Sequence, residues 1–319
     1  IHQRPPKATQ CVLKCGGPFH SIGIHMENKP FKSIDEMCCL LIQDRGLICP
    51  DDNELRKFLS RTNYYRFSGY ARDFQEDPEK GKNSFVGNTS FQDINKLINL
   101  DAKLRILLTE QLSVIEIAIR AKLAHEFGNE YGSNAYYLDC NTYAKRNFAK
   151  NFIIPGILSD LDHDKSRIIQ HYSKKNSNTP YEKYHDVPIW VAVEVLSFGR
   201  ISNMISYSKN VEVTKRVAKS LGVQWKPFSS VVHSLHVLRN LCAHHRQLWN
   251  RPMRIQCPVQ KKLRPKDISF DPKSVYAHIL MANYYRKAID GNTSVARRIQ
   301  ELLDKNDIFA EGIYLPHPK

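Results

Sequence analysis

Apolar residues recur three and four positions apart over long stretches of this chain, and no segment carries the strict alternation of a half-buried strand, so the pattern predicts an all-α protein. The longest regular stripe runs through residues 91–127. There Ile94, Leu97, Ile98, Leu104, Leu108, Leu112, Ile115, Ile119 and Leu123 share one side of a long helix, continuous or broken once. Polar residues intrude on it. Asp101 and Arg105 lie inside the stripe one turn apart, and Glu116 lies at its margin with Arg120 a turn further on. Acid four residues before base is the favourable order on a helix. Two compatible readings stand: buried ion pairs that fix helix register, or a support for the polar face of a second helix.

That second helix is expected over residues 228–251. At about 100° per residue, Val231, Leu235, Leu238, Cys242, His245 and Trp249 gather on one side, so His245 is assigned to the core. The other side collects His233, His236, Asn240, His244 and Gln247, with Arg239 at its edge. A merely solvated face carries Lys, Glu and Gln, whereas imidazoles, an amide and a guanidinium exchange protons and grip phosphate.

The remaining segments frame these two. A helix is expected over residues 32–45, capped by Ser33 and stopped by Gly46, and another follows a cap at Asp51 or Asp52. Tyr64, Tyr65, Arg66, Tyr70 and Arg72 then mix aromatic and basic character, which suits base stacking and phosphate contact or the packing of a small domain on its neighbour. Residues 75–90 read as a polar connection, and 173–186 as a loop. Residues 188–199 read as one helix with Pro188 in its first turn, Gly199 just past its end and an acid, Glu194, among apolar neighbours. Beyond residue 251, prolines interrupt a basic run of Lys261, Lys262 and Arg264, a phosphate-contacting patch or a solvated linker. Two last helices, 275–289 and 295–303, close the chain. The expected organisation is residues 1–25 as leader or disordered tail with Met26 as the start, 26–78 as an N-terminal helical domain, 90–255 as the core, and 256–319 as basic linker and C-terminal helices.

Charge narrows the partners. With 47 Lys and Arg against 32 Asp and Glu the formal net charge is +15, so polyanions are the natural ligands, nucleic acid ahead of an anionic membrane surface. No run approaches the roughly 18 apolar residues of a membrane span, and the eight cysteines form no paired C-x-x-C elements. A soluble, cytoplasmic protein with reduced thiols and no cofactor is expected.

Residues 239–244, R-N-L-C-A-H, resemble the R-x4-6-H signature of HEPN ribonucleases, with a polar residue directly after the arginine. The surrounding segments, KP at 29–30, DRGL at 44–47, NYYRFSGY at 63–70, the helix through 101–121, PIWVAVEVLSFG at 188–199 and RNLCAHHRQLWNR at 239–251, resemble in that order the bacterial Abi family of abortive-infection proteins, AbiD/AbiF type. The resemblance implies a HEPN-like helical bundle, antiphage defence by metal-independent RNA cleavage, and in some members a small RNA that restrains the activity. It carries catalytic roles onto Arg239, Asn240 and His244. His233, His236, Lys261, Lys262, Arg264, Tyr64, Tyr65 and Arg66 are candidate RNA contacts, and Asp101, Arg105, Glu116, Arg120 and Glu194 candidate supports. On an ideal helix Arg239 and His244 diverge by about 140°, so a homodimer that pools two such pairs is the expected active form. A zinc site on His233 and His236 lacks further ligands nearby in sequence. The competing reading is a module that binds RNA or a partner helix without cutting.

Overall fold

The computed structural model describes residues 30–317; the expectations for residues 1–25, for a start at Met26 and for Lys29 lie outside them. The regular structure of the described residues is helical apart from one small antiparallel ribbon. α1 (Ile34–Cys39) begins at a capping box, in which Ser33 accepts from the Glu36 amide and Glu36 from the Ser33 amide, and runs on as a wider turn through Asp44 to Gly46. α2 (Asp52–Arg61) is capped by Asp51, and α3 (Tyr64–Ala71) by Asn63. Where a polar connection was expected, β1 (Gln75–Asp77) pairs with β2 (Lys82–Phe85), turning through Gly81 at φ 81°. Strands this short leave no alternation to detect.

α4 (Phe91–Tyr131) is one unbroken helix of 41 residues, about 60 Å long. Ser90 caps it, and Leu104, Leu108, Leu112, Ile115, Ile119 and Leu123 along it are wholly buried. Each such side chain contributes about 1.5–3 kcal/mol relative to exposure. A less regular stretch follows. α5 (Arg146–Phe148) passes through a wider turn into α6 (Ile154–His163), then come α7 (Arg167–Tyr172) and α8 (Pro180–Tyr184), the last within the stretch expected to be a loop.

The single helix expected over 188–199 is two. α9 (Ile189–Val195) stops, Leu196 and Ser197 are extended, and α10 (Phe198–Tyr207) starts anew with Gly199 inside its first turn. Arg120 of α4 explains the break. Its guanidinium donates to the carbonyls of Val193 and Leu196, while the Ser197 amide turns to Asp160, so the acceptor and donor that would continue α9 are already engaged. α11 (Val211–Ser220), α12 (Phe228–Ala243), α13 (Val275–Asp290) and α14 (Ser294–Asp304) follow, and α15 (Asp307–Tyr314) adds a helix beyond the two expected at the end. α4 is the axis of the bundle: α3, α9, α11, α12, α13 and α14 all pack on it.

α12 ends eight residues before residue 251, the end that the apolar spacing predicts. The end is a Schellman turn: the Arg246 amide donates to the Leu241 carbonyl at 2.9 Å and the His245 amide to that of Cys242 at 3.0 Å, with His245 left-handed at φ 51°. His245 is therefore exposed rather than a core residue, because past Ala243 the chain no longer turns by about 100° per residue. Trp249 is buried, but from a loop, where its ring stacks near Tyr70 and Phe74.

What receives that loop is Asp101. Its wholly buried carboxylate accepts from the Leu248 amide at 3.1 Å, the Trp249 amide at 3.0 Å and the Tyr70 hydroxyl at 2.5 Å, and pairs with Arg105, which in turn donates to the Arg246 carbonyl at 3.2 Å. Burial and the neighbouring carboxylate push the Tyr70 hydroxyl far above its ordinary pKa, so it stays a donor. Asp101→Ala strands a buried guanidinium and two amides, and should lower the unfolding free energy by about 3–5 kcal/mol, whereas Ile106→Ala, on the exposed side of α4, should stay within about 0.5 kcal/mol of wild type. Urea unfolding of both variants checks this; equal midpoints would remove Asp101 as an anchor.

Candidate functional site

α12 is set by its apolar side. Phe228, Val231, Val232, Leu235 and Leu238 are wholly buried against α4, α10 and α13, and this fixes which residues turn outward. His233, His236, Arg239 and Asn240 come to the half-buried margin, and His244 is exposed at the helix end.

A chain of polar contacts ties most of them together. Glu116 of α4 accepts from Arg239 twice, from Nε at 2.9 Å and Nη2 at 3.2 Å, and also from Arg120. Arg239 Nη1 donates to Asn240 Oδ1 at 3.2 Å, and Asn240 Nδ2 donates to His236 Nε2 at 2.9 Å. The direction of that last bond places the imidazole proton on Nδ1, which is buried without a partner. His236 sits under the start of α10, edge-on to the Phe198 ring at 6.2 Å. Gly199 makes this approach feasible, since a Cβ there would lie 2.9 Å from His236 Nε2. His233 reaches Ser202 Oγ through Nδ1 at 3.3 Å.

The electrostatics follow from this arrangement. Glu116 lies between two guanidinium groups, so the cluster keeps a net positive charge. Arg239 commits three of its five N–H groups internally and leaves two, on a side chain 37% exposed, for an outside anion. Burial, reinforced by His233 and Arg239, pushes the His236 pKa down to about 4, and burial lowers that of His233. Both rings are neutral near pH 7. Among the described residues His244 makes no side-chain hydrogen bond and so is not part of the chain from Glu116 to His236.

The other singled-out residues fall into three groups. Asp101 and Arg105 hold the loop after α12, and Glu116 and Arg120 hold Arg239 and the end of α9. Glu194 joins neither: it is exposed on α9 and makes no ion pair among the described residues, because Arg120 engages α9 through the Val193 and Leu196 carbonyls instead. Tyr64, Tyr65 and Arg66 lie in the first turn of α3, whose opposite end meets the loop at Gly69 and Gln247. Tyr64 accepts from Arg45 at 2.7 Å while Tyr65 is 68% exposed. Lys261, Lys262 and Arg264 are exposed around a short turn, Lys261–Leu263, with no bond to α12. No cluster of three or more His, Cys, Asp or Glu side chains arranged to hold a metal ion occurs among the described residues. Ser202 was missed as part of the site, while Tyr70 was read only within an aromatic and basic group and Gly199 only as a helix stop; their distant partners, Asp101 and His236, define what they do.

Taken together these features describe a helical protein with a polar, cationic helix face braced by buried ion pairs on a long central helix. A family model described as Abi-like protein matches residues 57–250, and the chain belongs to that family. The match takes in α3, α4, α12 and the loop held by Asp101, and stops before the basic run and α13–α15. No curated protein and no solved structure matches the chain.

His236 gives the site a pH dependence of definite sign. The unfolded imidazole binds a proton near pH 6.5 and the folded one only near 4, so stability from the neutral ring is complete above about pH 6.5 and is lost as the pH falls through that window. Urea midpoints at about pH 7.5 and about pH 4.5 should differ more for wild type than for His236→Gln; equal differences would show that the ring does not contribute.

Proposed function

We propose that this Abi-like protein is an abortive-infection ribonuclease of HEPN type, a metal-independent enzyme that cuts RNA with Arg239, Asn240 and His244. The observation that carries the reading is the contrast between Arg239, held in place by Glu116 with two donors open, and His244, exposed and unengaged five residues later. One is built to bind an anion without moving. The other is an imidazole in contact with solvent.

RNA carries its own nucleophile in the 2′-hydroxyl, so a base that removes its proton drives attack on the adjacent phosphorus, with departure of the 5′-oxygen. The products are a 2′,3′-cyclic phosphate and a 5′-hydroxyl. His244 takes or gives the proton, and the open N–H groups of Arg239 meet the non-bridging oxygens as charge builds on them. Asn240 orients Arg239 from one side and His236 from the other. A single chain does not join His244 to Arg239, and one imidazole cannot act as base and acid at once. A twofold pair of chains supplies two imidazoles and two guanidiniums to one cleft. The helical bundle is HEPN-like in this reading, its compartment cytoplasmic, and a small RNA that occupies the face restrains it.

A second reading, an RNA-binding module without cleavage, is favoured by the two hydrogen bonds that Arg239 donates to Glu116, since that carboxylate competes with phosphate for the guanidinium. The two separate cleanly. Purified protein should cleave single-stranded RNA in EDTA, and His244→Ala and Arg239→Ala should each lower the rate at least a hundredfold, the scale of acid–base and charge-stabilising groups, with unchanged circular dichroism. Equal cleavage by all three proteins would sink the ribonuclease reading, and RNA retained at full length would favour the binding module. The active species should sediment as a dimer, with specific activity falling on dilution.

A further inference from the structure

A cleft of about 700 Å³ lies away from α12, between the N-terminal half of α4 and α14. On the α4 side Asn95, Lys96, Asn99 and Lys103 follow one another at helical spacing; on the other, Arg298 of α14 and Lys305, just past its end, face them. Glu301 is the one carboxylate in its lining. Arg298 is tied to Glu110 at 3.0 Å, whereas the exposed Lys96, Lys103 and Lys305 form no ion pair among the described residues. An excess of unpaired ammonium groups around a cleft is unfavourable until an anion enters it.

We propose that this cleft binds the phosphodiester backbone of RNA, as an anchoring site separate from the Arg239 face; the inference rests on RNA being the ligand, as proposed above. Three observations select an RNA strand over an acidic protein segment. The cations left without an ion pair are lysines, point charges that accept phosphate in any orientation, whereas the one fork matched to carboxylates, Arg298, is already held by Glu110. They are interleaved with amides, Asn95, Asn99 and Asn306, which both donate and accept and so suit ribose hydroxyls and base edges. Lys96 and Lys103 are seven residues apart, about 10 Å along the helix, which is the advance of roughly three stacked nucleotides. The site is distinct from the α12 face because Lys103 and Arg105, two residues apart, point to opposite sides of α4, and Arg105 is the one that meets the loop after α12. An RNA held by both must pass around the helix.

The test is made on His244→Ala protein, so that cleavage does not enter and failure of the ribonuclease reading leaves the result interpretable. Binding of a labelled single-stranded RNA is followed by fluorescence anisotropy over a salt series, for this protein and for triples carrying Lys96→Glu, Lys103→Glu and Lys305→Glu, or the same three positions changed to Gln. The Glu triple should bind at least about tenfold more weakly, and the Gln triple should show a slope of log affinity against log salt that is shallower by about 2, at roughly 0.7 for each lost phosphate contact. Circular dichroism should be unchanged, and the Gln triple keeps the test valid if the Glu triple misfolds. Unchanged RNA affinity and slope would overturn the proposal. So would unchanged RNA affinity alongside lost binding of polyglutamate, which would assign the cleft to an acidic protein.

Discussion

The carboxylate of Asp101 is the constraint on which the arrangement depends. It is wholly buried, and its ligands come from three parts of the chain that would otherwise meet only by packing: the Tyr70 hydroxyl of α3, Arg105 one turn along α4, and the Leu248 and Trp249 amides after α12. A buried charge is tolerable only when paired and fully hydrogen-bonded, and here every ligand is needed for the others to be satisfied. The loop after α12 is thus placed by electrostatics as much as by shape. Apolar contacts alone would leave several ways for α3 and the loop to slide over α4; the directional bonds to one carboxylate leave a single arrangement.

Glu116 repeats the device four turns further along α4, with a different outcome. There the acid lies between Arg120, which stays inside and terminates α9, and Arg239, which keeps an open edge toward solvent. Fifteen residues separate the two acids, so α4 holds both clusters at a spacing of about 22 Å that only bending of the helix could change. A rigid helix with dense burial on one side is well suited to that task, and it explains why one helix packs against so many others.

Much of the fold is legible in the chain because it is periodic. The stripe of α4, the capping box at Ser33, the cap at Asp51 and the placement of His233, His236 and Asn240 off the apolar side of α12 all follow from local spacing. What is not legible depends on partners far away in sequence. α12 stops at Ala243 without a glycine or proline to mark it, since a histidine takes the left-handed position at its end, so the apolar spacing continues past the helix and puts His245 in the core. The break between α9 and α10 comes from a guanidinium 73 residues away. The same limit applies within the candidate site: Arg239 and Asn240 are visible as a pair, but Asn240 turns toward His236 and Arg239 toward Glu116, and residue order alone does not distinguish those choices from a direct link to His244.

The segment from His244 to Gln247 is clamped at both ends, by the helix turn on one side and by the carboxylate that receives Leu248 and Trp249 on the other. Four residues between fixed points have little room for alternative backbone paths, so their conformational entropy is surrendered when the protein folds and not when something binds. Only side-chain torsions, those of the exposed His244 among them, remain to be settled on contact. A ligand reaching this imidazole therefore meets a surface whose backbone is already set, and its residence there depends on the groups it touches, with no loop closure to slow its arrival.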